Sequence, residues 1–360
     1  MLGMVVTERA TQSKTNMIIT NVRACQPIAP NSPADWRTSL GQILVAVDTD
    51  AGLFGYGVGG GGAAGIHVVR TVLRELLVGQ PIEPVEQRWQ EMFEATMPFG
   101  RKGIAIMALS GVDLALWDLR GKAAGKPVAE LLGGAVEHAI PTYATVWDAI
   151  PDELVGRHQA YKIHVGKGAA TSVDAIERIV AAARLQVGPD VSLMLDAWMQ
   201  WTVPFTLETA RRLEDYHLAW IEEPLAPDDL DGYAQLMRRS PIPIAGGEHE
   251  FTAAAFGELI RRRLHHVLQP DACWCGGMTE LVKIYQLAKE QGVRVCPHRG
   301  AEPWGLHAIV ALDPEPLAES GRPWLTWVQG QPEIRAGHAQ LTDAPGFGVT
   351  SSEAVFARLS

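Results

Sequence analysis

The chain has 360 residues, enough for two domains or for one barrel with an addition. Hydrophobic residues make up 47% and charged residues 20%, so a large core can be buried in an ordinary globular protein. The formal net charge is -10 and the longest basic run is Arg261-Arg262-Arg263, which argues against nucleic acid or an anionic membrane surface as the partner.

Residues 1–16 read as a loose polar tail without the basic-then-apolar pattern of a secretory signal. Residues 17–138 read as an α+β domain. Its strands are MIITNVRACQPI, GQILVAVDTD and AGLFGYGV, the last two joined at an Asp-Ala-Gly turn. Three helical stretches follow: AAGIHVVRTVLRELLVG, PVEQRWQEMFEATM and GIAIMALSGVDLALWDLRGKAAG. The third is apolar on more than one face, so it should lie buried between layers.

From about residue 139 to 323 the rhythm changes. TYATVWD, AYKIHVG, VSLMLD, LAWIEEP, IPIAGGE, HHVLQPD and VRVCPH are strand-like, and helix-like segments separate most of them. Such alternation implies a parallel sheet, and seven or eight units imply a closed (β/α) barrel. The stretch between Trp147 and Tyr161 is short for a helix, so the first unit should be abbreviated. Residues 324–360 are rich in Pro and Gly and should pack back on the first domain. No apolar stretch reaches the roughly 18 residues of a membrane helix. The cysteines, Cys25, Cys273, Cys275 and Cys296, have no disulfide-framework spacing, so a reducing cytoplasm is expected.

Three acids stand in phase on this array. Asp196, Glu222 and Glu248 follow one another at intervals of 26 residues, each at the end of an apolar run. Acids at successive strand ends gather hard oxygen ligands around one point, a site for a divalent cation such as Mg²⁺. The next two strand ends carry Asp271 and His298. An Asp that accepts from one ring nitrogen fixes the tautomer and raises the basicity of the other, so His298 is a candidate general base. The plainer alternative is a structural His beside a surface Asp. Lys162 and His164, two apart on the second barrel strand, share a face. If that face points inward, Lys162 can meet a substrate carboxylate. His164 can be a second base, a donor or packing. Together these groups suit removal of a weakly acidic proton next to a carboxylate, with the metal stabilising the enediolate.

Two motifs are weaker. Gly55, Gly57 and Gly60 spell G-x-G-x-x-G, but the preceding strand reads as half of a hairpin and no acid follows at the dinucleotide spacing. The run reads instead as a flexible wall near the substrate. Cys273 and Cys275 are too close together for a zinc knuckle with Cys296 and His298. Arg101 and Lys102 could bind anions or form a solvated pair, and Trp198 could line the barrel mouth or pack.

The segments GRKGIAIMALSGVDLALWDLRGK, LLGGAV, LMLDAWM, WIEEPLAPDD, GEHEFT, LQPDACWCGGMTELVKI and PHRG resemble the enolase superfamily, mandelate racemase-like subgroup. Within it they are most similar to rhamnonate-type acid-sugar dehydratases. The resemblance implies an α+β capping domain over a modified (β/α)8 barrel of (β/α)7β type. It implies dehydration of a small-molecule acid sugar, an aldonate or aldarate, to a 2-keto-3-deoxy acid. It also implies Asp196, Glu222 and Glu248 as metal ligands, His298 as base and Asp271 as its partner. Glu319 falls where an acid hydrogen-bonds the substrate carboxylate, and His249 where a His contacts substrate hydroxyls. A homo-oligomer, dimer to octamer, is expected. Two features depart from the rhamnonate type. Lys162-Ile163-His164 stands where that type resembles Lys-Met-Pro. The covering loop PADWRT is shorter and has no His, though Trp36 and Arg37 are available to the substrate. The resemblance therefore implies the reaction class and not the sugar, and a racemase or epimerase using His164 with His298 is the alternative.

Overall fold

The structure, a computed structural model, describes residues 17–27, 41–165, 172–322 and 325–357. The N-terminal tail, the loop bearing Trp36 and Arg37, and the expected boundary at Trp324 lie outside the described residues.

β1 (Ile19–Cys25), β2 (Ile43–Thr49) and β3 (Phe54–Gly59) form an antiparallel sheet with β2 in the middle. α1 (Gly62–Val68) then runs through a π turn (Val69–Leu73) into a short helical piece (Arg74–Leu77), where the sequence reads as one helix. α2 (Val85–Thr96) and α3 (Ile104–Ala124) follow. α3 is buried almost throughout, from Ile106 to Leu119, because it has neighbours on several sides. Gly55 and Gly57 explain how closely it lies on the sheet. A Cβ at either would collide with the carbonyls of Ala115 or Gly111. The G-x-G pattern is therefore mainly a packing device inside a strand, and the expected flexible wall is largely sheet. Only Gly60 reaches toward the barrel, where a Cβ would meet Trp274 Nε1 at 3.3 Å.

β4 (Ile140–Trp147), β5 (Ala160–His164), β6 (Ser192–Asp196), β7 (Leu218–Glu222), β8 (Ile244–Gly246), β9 (Val267–Leu268) and β10 (Arg294–Val295) pair in parallel in chain order. β11 (Ala318–Glu319) returns to pair with β4, so the sheet curls round as a barrel. The helices between them are α4 (Val173–Val187), α5 (Val203–Arg212), α6 (Leu230–Arg239), α7 (Thr252–Arg262), α8 (Gly277–Gln291) and α9 (Pro303–Leu312). Several begin where the sequence supplies a cap: Ser172, Thr202 and Asp229 each accept from a backbone N–H of the first turn. The β4–β5 link carries only a 3₁₀ turn (Asp152–Leu154), the abbreviated unit that its length predicts.

Inside the barrel, Tyr143, Ala160, Met194, Trp220, Ala245, Val267 and Cys296 form one buried cluster. Strand side chains alternate, so the residues two further along point the same way. Thr145, Lys162, Asp196, Glu222, Gln269 and His298 thus occupy the next inward layer, toward the C-terminal mouth where barrel sites lie.

The C-terminal segment returns to both halves. β12 (Ile334–Arg335) and β13 (His338–Ala339) form a hairpin that pairs antiparallel with β4. Beyond it, Phe347 N donates to Asp118 Oδ1 at 2.9 Å and Arg23 pairs with Glu353 at 2.7 Å. Among the described residues no helix is long and apolar enough to cross a membrane.

Candidate active site

The acids reach the mouth because each ends or follows a strand whose inward phase is fixed by the layer below. Asp196 closes β6, Glu222 closes β7 and Glu248 lies two residues past β8; all three are buried. The chain then turns sharply. Trp198, Met199, Glu223 and Arg299 have φ between 38° and 63°, a region that side chains other than glycine enter at a cost and that clusters at functional sites.

Burying several carboxylates together is unfavourable unless cations face them. Lys162, fully inside, is one such cation. Its Nζ lies 2.5 Å from Glu222 Oε1, 3.1 Å from Glu319 Oε1 and 3.8 Å from Asp196 Oδ2. The compensation is incomplete at Asp196, whose carboxyl is pushed well above its usual range by burial and by Glu222. Glu222 is further oriented from behind: Gln269 Nε2 donates to its Oε2 at 2.6 Å and Trp220 Nε1 at 3.3 Å. The other end of Gln269, its Oε1, is buried with no hydrogen-bond partner among the described residues.

His298 stands against this acidic cage. Its Nδ1 lies 2.9 Å from Asp271 Oδ2, and the two residues form a parallel bridge. Its Nε2 lies 2.8 Å from Glu248 Oε2 and 3.9 Å from Glu319 Oε2. Burial opposes a charge on the ring, but Glu248, Glu319 and Asp271 outweigh it and raise His298 to about 10. Glu248 is correspondingly held well below its usual range, against burial, chiefly by His298. Burial would raise Asp271, but Arg322 and His298 hold it low. Arg322 is itself clamped by Glu302, with Nε and Nη2 at 2.6 and 2.7 Å, and lies 3.6 Å from Asp271. Glu319 accepts from Thr145 Oγ1 and from Arg299 N, the latter at 2.8 Å.

A cavity of about 590 Å³ opens above these groups, lined among others by Lys162, His164, Trp198, His249, Trp274 and His298. His249 Nδ1 is 2.8 Å from Glu223 Oε2. Burial opposes its charge, but Glu223 and Glu248 raise it to about 9. His164 faces inward with Lys162 and lies against Trp147, ring centroids 3.8 Å apart and the planes tilted by 31°. Burial and then Lys162 lower it to about 4, and its Nδ1 has no hydrogen-bond partner among the described residues.

The structure thus gathers Asp196, Glu222, Glu248, Lys162, His164, Trp198, His249, Asp271, His298 and Glu319 at one mouth. Trp36 and Arg37 lie outside the described residues. The donor set fits a hard divalent cation: buried carboxylate oxygens in excess of the cations that face them. One detail differs from the expected triplet. Among the described residues, the tightest cluster of potential ligand atoms is Glu223, Glu248 and His249, all within 4.8 Å. Both oxygens of Glu222 are instead engaged, by Lys162 on one side and by Gln269 with Trp220 on the other.

Sequence reasoning missed Gln269, Thr145, Arg322 and Glu302. The first two were accessible, since each sits two residues from an inward-facing position on its own strand or strand end. Of Arg101 and Lys102, which could bind anions or form a solvated pair, Lys102 pairs with buried Glu250 at 3.0 Å. The cysteines are all free and buried.

Comparison with known proteins agrees with this geometry. Residues 16–133 match the model of the mandelate racemase / muconate lactonizing enzyme N-terminal domain, and residues 149–355 that of the enolase C-terminal domain-like family. An L-rhamnonate dehydratase from Saccharopolyspora erythraea is 37% identical over 329 residues, covering 86% of this chain and 83% of that one. The structure of rhamnonate dehydratase from Gibberella zeae complexed with Mg superposes with a TM-score of 0.85 at 28% identity, covering 96% of each chain. A racemase from Streptomyces coelicolor A3(2) with bound magnesium gives 0.85 at 31% identity, covering 95% of this chain and 99% of that one. The capping sheet, the barrel and both matched domains place this chain in the enolase superfamily, in its mandelate racemase / muconate lactonizing enzyme family.

Proposed function

We propose that the chain is a Mg²⁺-dependent acid-sugar dehydratase that converts an aldonate or aldarate to a 2-keto-3-deoxy acid. The observation that carries this reading is His298, backed by Asp271 and set at the rim of a buried carboxylate cage. The dehydratase relatives support the same reaction class.

Asp196, Glu222 and Glu248 would hold the cation. Its chemistry is to neutralise the second negative charge that a carboxylate acquires when the adjacent carbon is deprotonated. Lys162 and the protonated His249 place positive charge at the mouth, which draws an anionic sugar into a chain of net charge -10. With a cation sharing the Glu248 charge that raises it, His298 would be neutral; held in one tautomer by Asp271, it takes the C2 proton on Nε2. The C–H electron pair passes into the enediolate. Collapse of that species breaks the C3–O bond, and the hydroxyl leaves as water with a proton from the His298 imidazolium when departure is syn. The enol then ketonises. Glu319, fixed by Thr145 and Arg299 N, faces the carboxylate, and His249 faces the sugar hydroxyls. The enzyme would work in the cytoplasm as a homo-oligomer.

A second reading has its own observation. His164 is buried, held neutral and without a hydrogen-bond partner at Nδ1 among the described residues, on the inward face of β5, which suits a base on the opposite face of C2, as an epimerase requires. A library of mono- and diacid sugars with Mg²⁺, read for carbonyl formation with semicarbazide, separates the two. A keto product supports dehydration. Exchange of the C2 hydrogen with D₂O, with inversion and no keto product, supports the epimerase. No reaction with any acid sugar in a broad library rejects the dehydratase.

A further inference from the structure

The loop Asp271–Gly276 carries two parts of the site: Asp271, which holds His298, and Trp274, which lines the cavity. It runs straight into α8, and that helix has no side-chain cap of its own, its N-cap being Gly276. The first N–H groups of a helix need acceptors. Here the capping domain supplies them. Asp113 Oδ2 accepts from Thr279 N at 3.0 Å and Asp113 Oδ1 from Thr279 Oγ1 at 2.6 Å. Ser110 Oγ accepts from Gly276 N at 2.9 Å. Trp89 Nε1 donates to the Gly276 carbonyl at 2.8 Å, and Trp117 Nε1 donates to Thr279 Oγ1 at 2.9 Å.

The backbone is shaped for this grip. Gly276 and Gly277 have φ of 117° and 81°, and a Cβ at Gly277 would run into the Asp113 carboxylate. Asp113 is fully buried on α3, so it has no solvent alternative to these donors. Asp271 in turn is tied to the same loop: its Oδ1 accepts from Cys273 N at 2.7 Å, and its carbonyl accepts from Trp274 N and Cys275 N. A shift of the Gly276–Thr279 backbone therefore moves the turn that orients Asp271.

We infer that Asp113 is a positioning residue for the Asp271–His298 pair: the capping domain caps a barrel helix and so sets the loop that aims the base. This rests on His298 and Asp271 being the base and its partner.

The test uses the full chain with Mg²⁺ and reads three quantities: turnover, metal affinity by calorimetry, and the downfield proton resonance of His298 Nδ1–H. That resonance is assigned by its loss in Asp271→Asn. Asp113→Ala should shift or broaden it and lower kcat roughly ten- to a hundredfold, with Mg²⁺ affinity and KM unchanged, since the metal ligands sit on other strands. Asp113→Asn, which still presents an oxygen to Thr279 N, should restore most of both signals. A folded Asp113→Ala with wild-type resonance and kcat overturns the inference. Should that variant not fold, Thr279→Val and Ser110→Ala decide, and wild-type behaviour in both overturns it. If instead Asp271→Asn turns over normally, it is the reading of the base that fails.

Discussion

Glu222 shows how much of this site depends on the groups that hold a metal ligand from behind. Its carboxylate is pinned by Lys162 in front and by Gln269 and Trp220 behind. Groups that orient a metal ligand commonly set metal affinity by factors of ten or more. Gln269→Leu removes a charged-group hydrogen bond at 2.6 Å and should weaken Mg²⁺ binding about 10- to 100-fold, measured by calorimetry. Binding within twofold of wild type would show that Glu222 is not oriented this way. Gln269 was legible in principle, because it lies two residues before Asp271 and shares its phase. Arg322 and Glu302 were not. Arg322 lies in the stretch after β11 and Glu302 at the start of α9; Glu302 holds Arg322, and Arg322 meets Asp271, only once the barrel has closed. No local period connects residues 20 positions apart across a helix.

At the scale of elements, period and phase carried the prediction. The constant interval between Asp196, Glu222 and Glu248 reported a repeated βα unit, its continuation reached Asp271 and His298, and alternation along β5 put Lys162 and His164 on one face. The G-x-G-x-x-G run misled because a short glycine motif serves more than one purpose. In β3 the glycines exist to let α3 approach. Gly57→Ala should therefore destabilise the protein by about 1–3 kcal/mol through overpacking, read by denaturant unfolding, without loss of any nucleotide affinity. An unchanged midpoint would mean that the sheet can move away from α3.

The molecule as a whole is held closed by contacts between parts distant in sequence. His307 on α9 is a clear instance. Its Nδ1 accepts from Ala129 N at 2.9 Å, and its ring meets Phe347 of the C-terminal segment edge-on. Burial lowers it to about 3, so the folded state holds it neutral. A depressed folded value means stability that is fully present above the ordinary value near 6.5 and is lost as pH falls toward 3. The stability difference between wild type and His307→Gln should shrink by about 1.4 kcal/mol per pH unit across that window, followed by urea titration at pH 7, 6 and 5. A constant difference would place the proton elsewhere. The central claim, however, concerns proton abstraction. The most direct measurement is His298→Asn assayed in D₂O, with an acid sugar that the wild type converts, for keto-acid formation and for deuterium at C2. The account predicts that the variant binds Mg²⁺ normally and loses dehydration by about 10²–10⁴-fold or more. Dehydration at the wild-type rate in that variant would contradict it.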